Sequence, residues 1–205
     1  MKYNDLASKN SVGRTVKALK AKGYEVMIAK NGNAALEKIK EIVPDGTTVM
    51  NGSSVTLEQI GYVDYLASGK HHWIDLHAKI KAEPDKAKRE KLRRESVLSD
   101  YYLGSIHALS ETGEFVIASN TGSQLPHVVF TSPNLIFVVS TKKIVPSLEE
   151  GLKRVEKYVF PLENKHMQEL YNQDTNLNKI LIFRGEAAMI GRKISFILIG
   201  ENLGF

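Results

Sequence analysis

No cysteine occurs anywhere in the 205 residues. That removes disulfides, cysteine-nucleophile chemistry, thiolate zinc sites and a protein-ligated iron–sulfur cluster of the usual kind. Any redox role therefore needs a bound cofactor or a partner that carries the electrons. Also missing is an apolar run near the roughly 20 residues that span a bilayer. The start, Met1-Lys2-Tyr3-Asn4-Asp5-Leu6, lacks the apolar core of a secretion signal, so a cytoplasmic location is the expectation. His71, His72 and His77 lack the i,i+4 spacing of a helical metal site, and no metal or cofactor is expected.

What is present suits one domain of moderate size: 42% hydrophobic and 25% charged residues are ordinary for a globular chain. The formal charge of +5 is concentrated between Lys79 and Arg94, where eight cations stand against Glu83, Asp85 and Glu90. Such a run can grip phosphates. Asp85–Arg89 and Glu90–Arg94, however, are acid-first i,i+4 pairs, as on a solvated helix. No aromatic interleaves the run to stack bases, which disfavours nucleic acid.

Hydrophobic spacing predicts a helix over 4–22 ended by Gly23, a strand at 24–29, a helix striped by Leu36, Ile39 and Val43, and a strand at 47–50. Thr56 with Gln59 fits a capping box for a helix starting near Val55. Residues 62–98 read as a helical excursion from the sheet. A strand over 100–109, the turn Glu111-Thr112-Gly113 and a strand over 115–119 form a hairpin. Leu135–Ser140 is a continuous apolar run that suits a buried strand. A helix capped by Ser147 follows, Pro161 opens another, and 179–183 with 193–199 read as a second hairpin. The alternation predicts an α/β fold of right-handed βαβ units with a largely parallel sheet.

Two loops stand out, each directly after a predicted strand. Asn51-Gly52-Ser53-Ser54-Val55-Thr56 offers close backbone approach at Gly52 and hydroxyls on Ser53, Ser54 and Thr56 beside a helix start, a ready anion site. A Gly-Ser turn that merely caps a helix fits equally well. Asn120-Thr121-Gly122-Ser123-Gln124 carries four hydrogen-bonding side chains, and turn chemistry accounts for Asn120 and Gly122 but not for Gln124. If both strands belong to one sheet, both loops open at its carboxyl edge, where such folds bind ligands. Glu111 suits a general base or carboxylate nucleophile, or a solvated hairpin residue. His107 fits a satisfied core histidine. Lys142, Lys143 and Arg192 lie at strand ends, where a cation can neutralise an anion or simply face solvent.

Several stretches together resemble the LUD (lactate utilisation) domain, in particular its small stand-alone members. They are Gly104-Ser105-Ile106-His107-Ala108, Glu111-x-Gly113, Ala118-Ser119-Asn120-Thr121-Gly122-Ser123-Gln124 and Ser140-Thr141-Lys142-Lys143-Ile144-Val145-Pro146. Asn51–Leu57, Asn178–Ile182 and Asn202–Phe205 add to the likeness, which spans essentially the whole chain. The resemblance implies a three-layer (αβα) α/β fold with a mainly parallel sheet, similar to ribose-5-phosphate isomerase, glucosamine-6-phosphate deaminase and CoA transferases. It also implies an association with oxidation of L-lactate to pyruvate beside iron–sulfur subunits. The chain lacks the cysteine-rich extension of the longer relatives, so the electron-transferring role falls to a partner.

Three functions follow. The first is a binder of a small anionic or carbonyl-containing ligand (a carboxylate, sugar phosphate or CoA ester), using Gly52, Ser53, Ser54, Thr56, Asn120, Thr121, Gly122, Ser123, Gln124 and Lys142. The second is a stand-alone isomerase or acyl or CoA transferase using Glu111. The third is a non-catalytic assembly module docking an acidic partner through 79–94. Self-association is compatible with all three; a membrane partner is not expected.

Overall fold

A six-stranded sheet and a four-stranded sheet carry the chain, which a computed structural model describes over residues 2–205. Helix α1 (Lys9–Ala21) is capped by the Ser8 hydroxyl and ends at Gly23, whose φ of 83° lets the chain turn into β1 (Glu25–Ala29). Asn31 caps α2 (Gly32–Ile42), which leads to β2 (Thr48–Asn51). The excursion is helical: α3 (Val55–Gln59), α4 (Tyr62–Ala67), α5 (Leu76–Ala82) and α6 (Lys86–Glu95) surround a two-residue strand, β3 (Ile74–Asp75). Ser54, not Thr56, caps α3 by accepting from the Leu57 amide. Thr56 is buried in the first turn instead.

The expected strand over 100–109 is two strands in different sheets, β4 (Tyr101–Gly104) and β5 (Ala108–Ser110). The chain changes sheet at Ser105-Ile106-His107. β5 forms the expected hairpin with β6 (Phe115–Ser119). The apolar run builds β7 (Asn134–Ser140), followed by β8 (Ile144–Val145) and α7 (Leu148–Arg154). α8 (Phe160–Tyr171) does not start afresh at Pro161. It continues α7 through a π turn over Val155–Val159, where the Phe160 amide reaches back to the Val155 carbonyl. Proline has no N–H and crowds the carbonyl four residues earlier, so the helix widens upstream of it.

The closing strands, β9 (Lys179–Phe183) and β10 (Lys193–Ile199), are not a hairpin. β9 runs antiparallel to β6 at the edge of the small sheet, ordered β8-β5-β6-β9. β10 runs parallel between β1 and β7 in the large sheet, ordered β1-β10-β7-β4-β2-β3. Burial explains the difference. Six consecutive residues from Ile194 to Ile199 are buried, as a strand covered on both faces requires, whereas Ile180 and Ile182 of β9 are exposed.

Every pairing in the large sheet is parallel. Its side chains alternate between two cores. Leu135, Phe137 and Val139 pack with α1 and with Phe115 and Phe183 of the small sheet. Ile136 and Val138 face Ile39, Leu57 and Tyr62 on the other side. Helix α7, through Leu148 and Leu152, and the following π turn, through Val155, pack on the small sheet. The fold is thus the expected three-layer α/β arrangement with a mainly parallel central sheet. No described helix is long and apolar enough to cross a membrane.

Candidate functional site

The strands β2, β4 and β7 end side by side at the carboxyl edge of the large sheet, and the small sheet approaches that edge. Between them lies a cleft of about 410 Å³. Gly52, Ser53, Ser54 and Thr56 line one side, and Asn120, Thr121, Ser123 and Gln124 another. The two loops meet although they belong to different sheets, so the assumption that one sheet presents both is wrong. The sheet change at Ser105–His107 makes the meeting possible, and its residues also line the cleft. Helix α8 supplies the remaining wall through Phe160, Glu163, Met167 and Tyr171, which recur on one helical face, with Phe205 beside them.

Gly52 is required sterically: a Cβ there would stand 2.7 Å from the Tyr102 hydroxyl. Tyr102 is buried and stacks on His127 with ring centroids 4.6 Å apart, so it has little room to retreat. In the second loop, Gln124 is used internally. Its Oε1 accepts from Ser119 Oγ at 2.9 Å, and Asn120 Oδ1 accepts from Asn178 Nδ2 at 2.7 Å. Gly122 does not line the cleft; its φ of 84° shapes the turn, and a Cβ there would meet the Lys179 side chain. Ser53 Oγ and the Arg93 guanidinium, by contrast, line the cleft and make no side-chain hydrogen bond among the described residues.

Lys142 lies outside the cleft lining. Its buried ammonium donates to Asn202 Oδ1 and to the Gly204 carbonyl, both at 2.6 Å, and so anchors the closing segment. The lysine that reaches the cleft is its neighbour. Lys143, 3% exposed, places Nζ 3.0 Å from both Thr56 Oγ1 and Ser105 Oγ on the cleft floor. Consecutive lysines diverge here because they leave β7 through a tight 3-10 turn over Thr141–Lys143. Gly204 lies against the amine: a Cβ there would stand 2.2 Å from Thr56 Oγ1 and 2.9 Å from Lys143 Nζ.

Arg154 is fully buried behind the cleft; it donates to the His107 carbonyl and faces the Tyr158 ring at 5.1 Å. Lys142, Lys143 and Arg154 form no ion pair among the described residues. Burial, reinforced by the two neighbouring cations, holds the Lys143 amine well below its ordinary range. Burial likewise lowers Lys142 to about 8 and Arg154 to about 10. His107 is driven to about 3 by burial first and by Lys143 and Arg154 next. Its Nδ1 accepts from the Ala118 amide, so the neutral ring carries its proton on Nε2.

Glu111 is elsewhere. Ser11 Oγ and Arg14 Nε each donate to its carboxylate at 2.5 Å, pinning the hairpin turn to α1. Arg14 foremost holds that carboxyl below its ordinary range. The carboxylate that does line the cleft is Glu163, which burial raises. Arg192 is also occupied, pairing with Glu186 and donating to the Val128 carbonyl. In the basic segment, Asp85 is spent as the cap of α6 and the observed ion pair is Lys91–Glu95. Arg93, Lys143 and Glu163 also line the cleft, beside the loop residues that the sequence singles out. The strand-end position of Lys143 was the available signal for one of them; nothing in the spacing singled out Glu163.

The arrangement can hold an anion, donate protons from hydroxyls and present an amine. Among curated proteins none matches the chain. Among solved structures it is similar to a DUF162 family protein from Deinococcus radiodurans. The two are 12% identical with a TM-score of 0.58, over 96% of this chain and 100% of that one, a likeness of fold. The LUD domain family model matches residues 12–179. Built around this cleft and matched over most of its length, the chain belongs to the LUD domain family, which is linked in general to lactate utilisation.

Proposed function

We propose that the cleft binds a small anionic ligand and that the protein serves lactate utilisation or related small-acid metabolism. The observation that supports this reading is the Lys143 amine: buried, without a carboxylate partner among the described residues, backed by the unpaired cations Lys142 and Arg154 and open to the cleft. A buried charge is normally paired, because the unpaired ion loses its hydration without recompense. A cleft lined by an unpaired amine and by the unpaired Arg93 guanidinium is therefore complementary to an anion. Ser53 and Arg93 add free donors at the same surface.

The ligand class is a carboxylate, sugar phosphate or CoA ester. The chain has no cysteine to ligate an iron–sulfur cluster of the usual kind. In a lactate oxidation the electrons therefore pass to a bound cofactor or a partner, the iron–sulfur subunit that the family resemblance implies being the proposed one. The test is a thermal-shift series with lactate, pyruvate, ribose 5-phosphate and acetyl-CoA. Binding raises the melting temperature of the wild type by mass action, and Lys143→Met abolishes the rise. An unchanged melting temperature with every anion at millimolar concentration overturns the reading.

A further inference from the structure

We propose that Lys143 is a nucleophile that condenses with the carbonyl carbon of a ligand also bearing an anionic group, forming a Schiff base in the cleft. The proposal rests on the anion-binding reading above and narrows the ligand to a 2-oxo acid or an aldose or ketose phosphate.

Hydrogen-bond logic carries it. Ser105 Oγ donates its proton to the Val138 carbonyl at 2.7 Å, so toward Lys143 it accepts. Thr56 Oγ1 likewise accepts from Lys143 Nζ, at 3.0 Å. An ammonium has three donors and no acceptor; a neutral amine has two donors and one lone pair. The neutral amine therefore meets both hydroxyls with its two donors and keeps its lone pair for the cleft. Gly204 closes over this side of the amine, leaving the cleft as its open direction. The surrounding cations Lys142 and Arg154 act in the same sense, disfavouring a third charge.

The step balances without a redox partner. The amine lone pair forms a C–N bond to the carbonyl carbon while the oxygen takes a proton, giving a carbinolamine. That proton is one of the two on the amine; loss of the hydroxyl as water with the second leaves a neutral C=N bond. Arg93, unpaired at the cleft surface, is suited to the ligand's anionic group.

Trapping tests it. The full chain is incubated with pyruvate in one arm and ribose 5-phosphate in another, each with cyanoborohydride, and analysed by intact mass and peptide mapping. Lactate, which has no carbonyl, is the control. Hydride adds to the imine carbon and solvent supplies the nitrogen proton, leaving a stable secondary amine. The expected result is a reduced adduct mapped to Lys143 in at least one carbonyl arm, absent with lactate and lost in Lys143→Arg. Which arm labels identifies the anionic group. Adducts confined to exposed lysines, or none, overturn the proposal. Thermal shift on the same samples separates the failures. Stabilisation without Lys143 labelling removes the nucleophile and leaves the binding site; neither effect removes both. The mapping uses the wild-type chain, so the result stands even where Lys143→Arg fails to fold.

Discussion

Lys142 and Lys143 show how much one residue position decides. Both are buried strand-end lysines, yet one ammonium ties down Asn202 and Gly204 while the other amine opens on the cleft. Nothing in two identical neighbours says which will do which. Gly52 was more legible, because a glycine between a strand and a hydroxyl-rich turn signals close approach. What approaches is the Tyr102 hydroxyl, and the clash is specific enough to test. Gly52→Ala is expected to destabilise by about 1–3 kcal/mol through overpacking. Tyr102→Phe removes the offending oxygen, leaving Gln124 Cβ, 3.7 Å from the added Cβ, in ordinary contact. Urea denaturation of the two single variants and the double should show the double about 1 kcal/mol or more better than the sum. Strict additivity would mean that the contact does not constrain Gly52.

Elements divide into those that seal the core and those that close the cleft. β7 and β10 are buried along nearly their whole length, whereas α8 has no buried residue. Its hold on the rest comes from the π turn, in which Val155 and Val159 are buried, and from polar contacts such as Asn164 and Gln168 to Asp174. Exposed backbone with few buried side chains belongs to the low-stability end of a fold. Amide hydrogen exchange should therefore run roughly tenfold or more faster in α8 than in β7. A saturating anion should slow α8 selectively, because Phe160, Glu163, Met167 and Tyr171 form a cleft wall. Equal protection of α8 and β7 would show that the helix is not a separable cover.

Across the whole molecule, the matched family region ends at residue 179, but a central strand of the large sheet lies beyond it. β10 pairs with both β1 and β7, and Phe196, Ile197 and Leu198 contribute to both cores. A chain shortened to end after Phe183 should show no cooperative thermal transition by circular dichroism, since β1 loses its partner and both cores open. A sharp melt would place the folding unit in the first 183 residues and contradict the assigned role of β10. The closing segment also carries Gly204 and Phe205 to the cleft, so the same truncation removes part of the site.

Local patterns were enough for most elements, because helix stripes, caps and a continuous apolar run depend on neighbours in sequence. They were enough for the β5–β6 hairpin and for the two glycine-bearing loops. Sheet membership was another matter. β4 and β5 read as one strand because their residues are equally apolar, and only packing against two different layers separates them at Ser105–His107. β9 and β10 read as a hairpin because proximity in sequence suggests pairing, although their burial patterns differ. Glu111 and Glu163 are chemically alike along the chain; tertiary structure gave the first to Arg14 and the second to the cleft. The residue types and local turns were thus set by the sequence itself. Which strand ends converge, and which polar groups remain unpaired when they do, was decided by long-range packing, where the free energy belongs to contacts between distant segments.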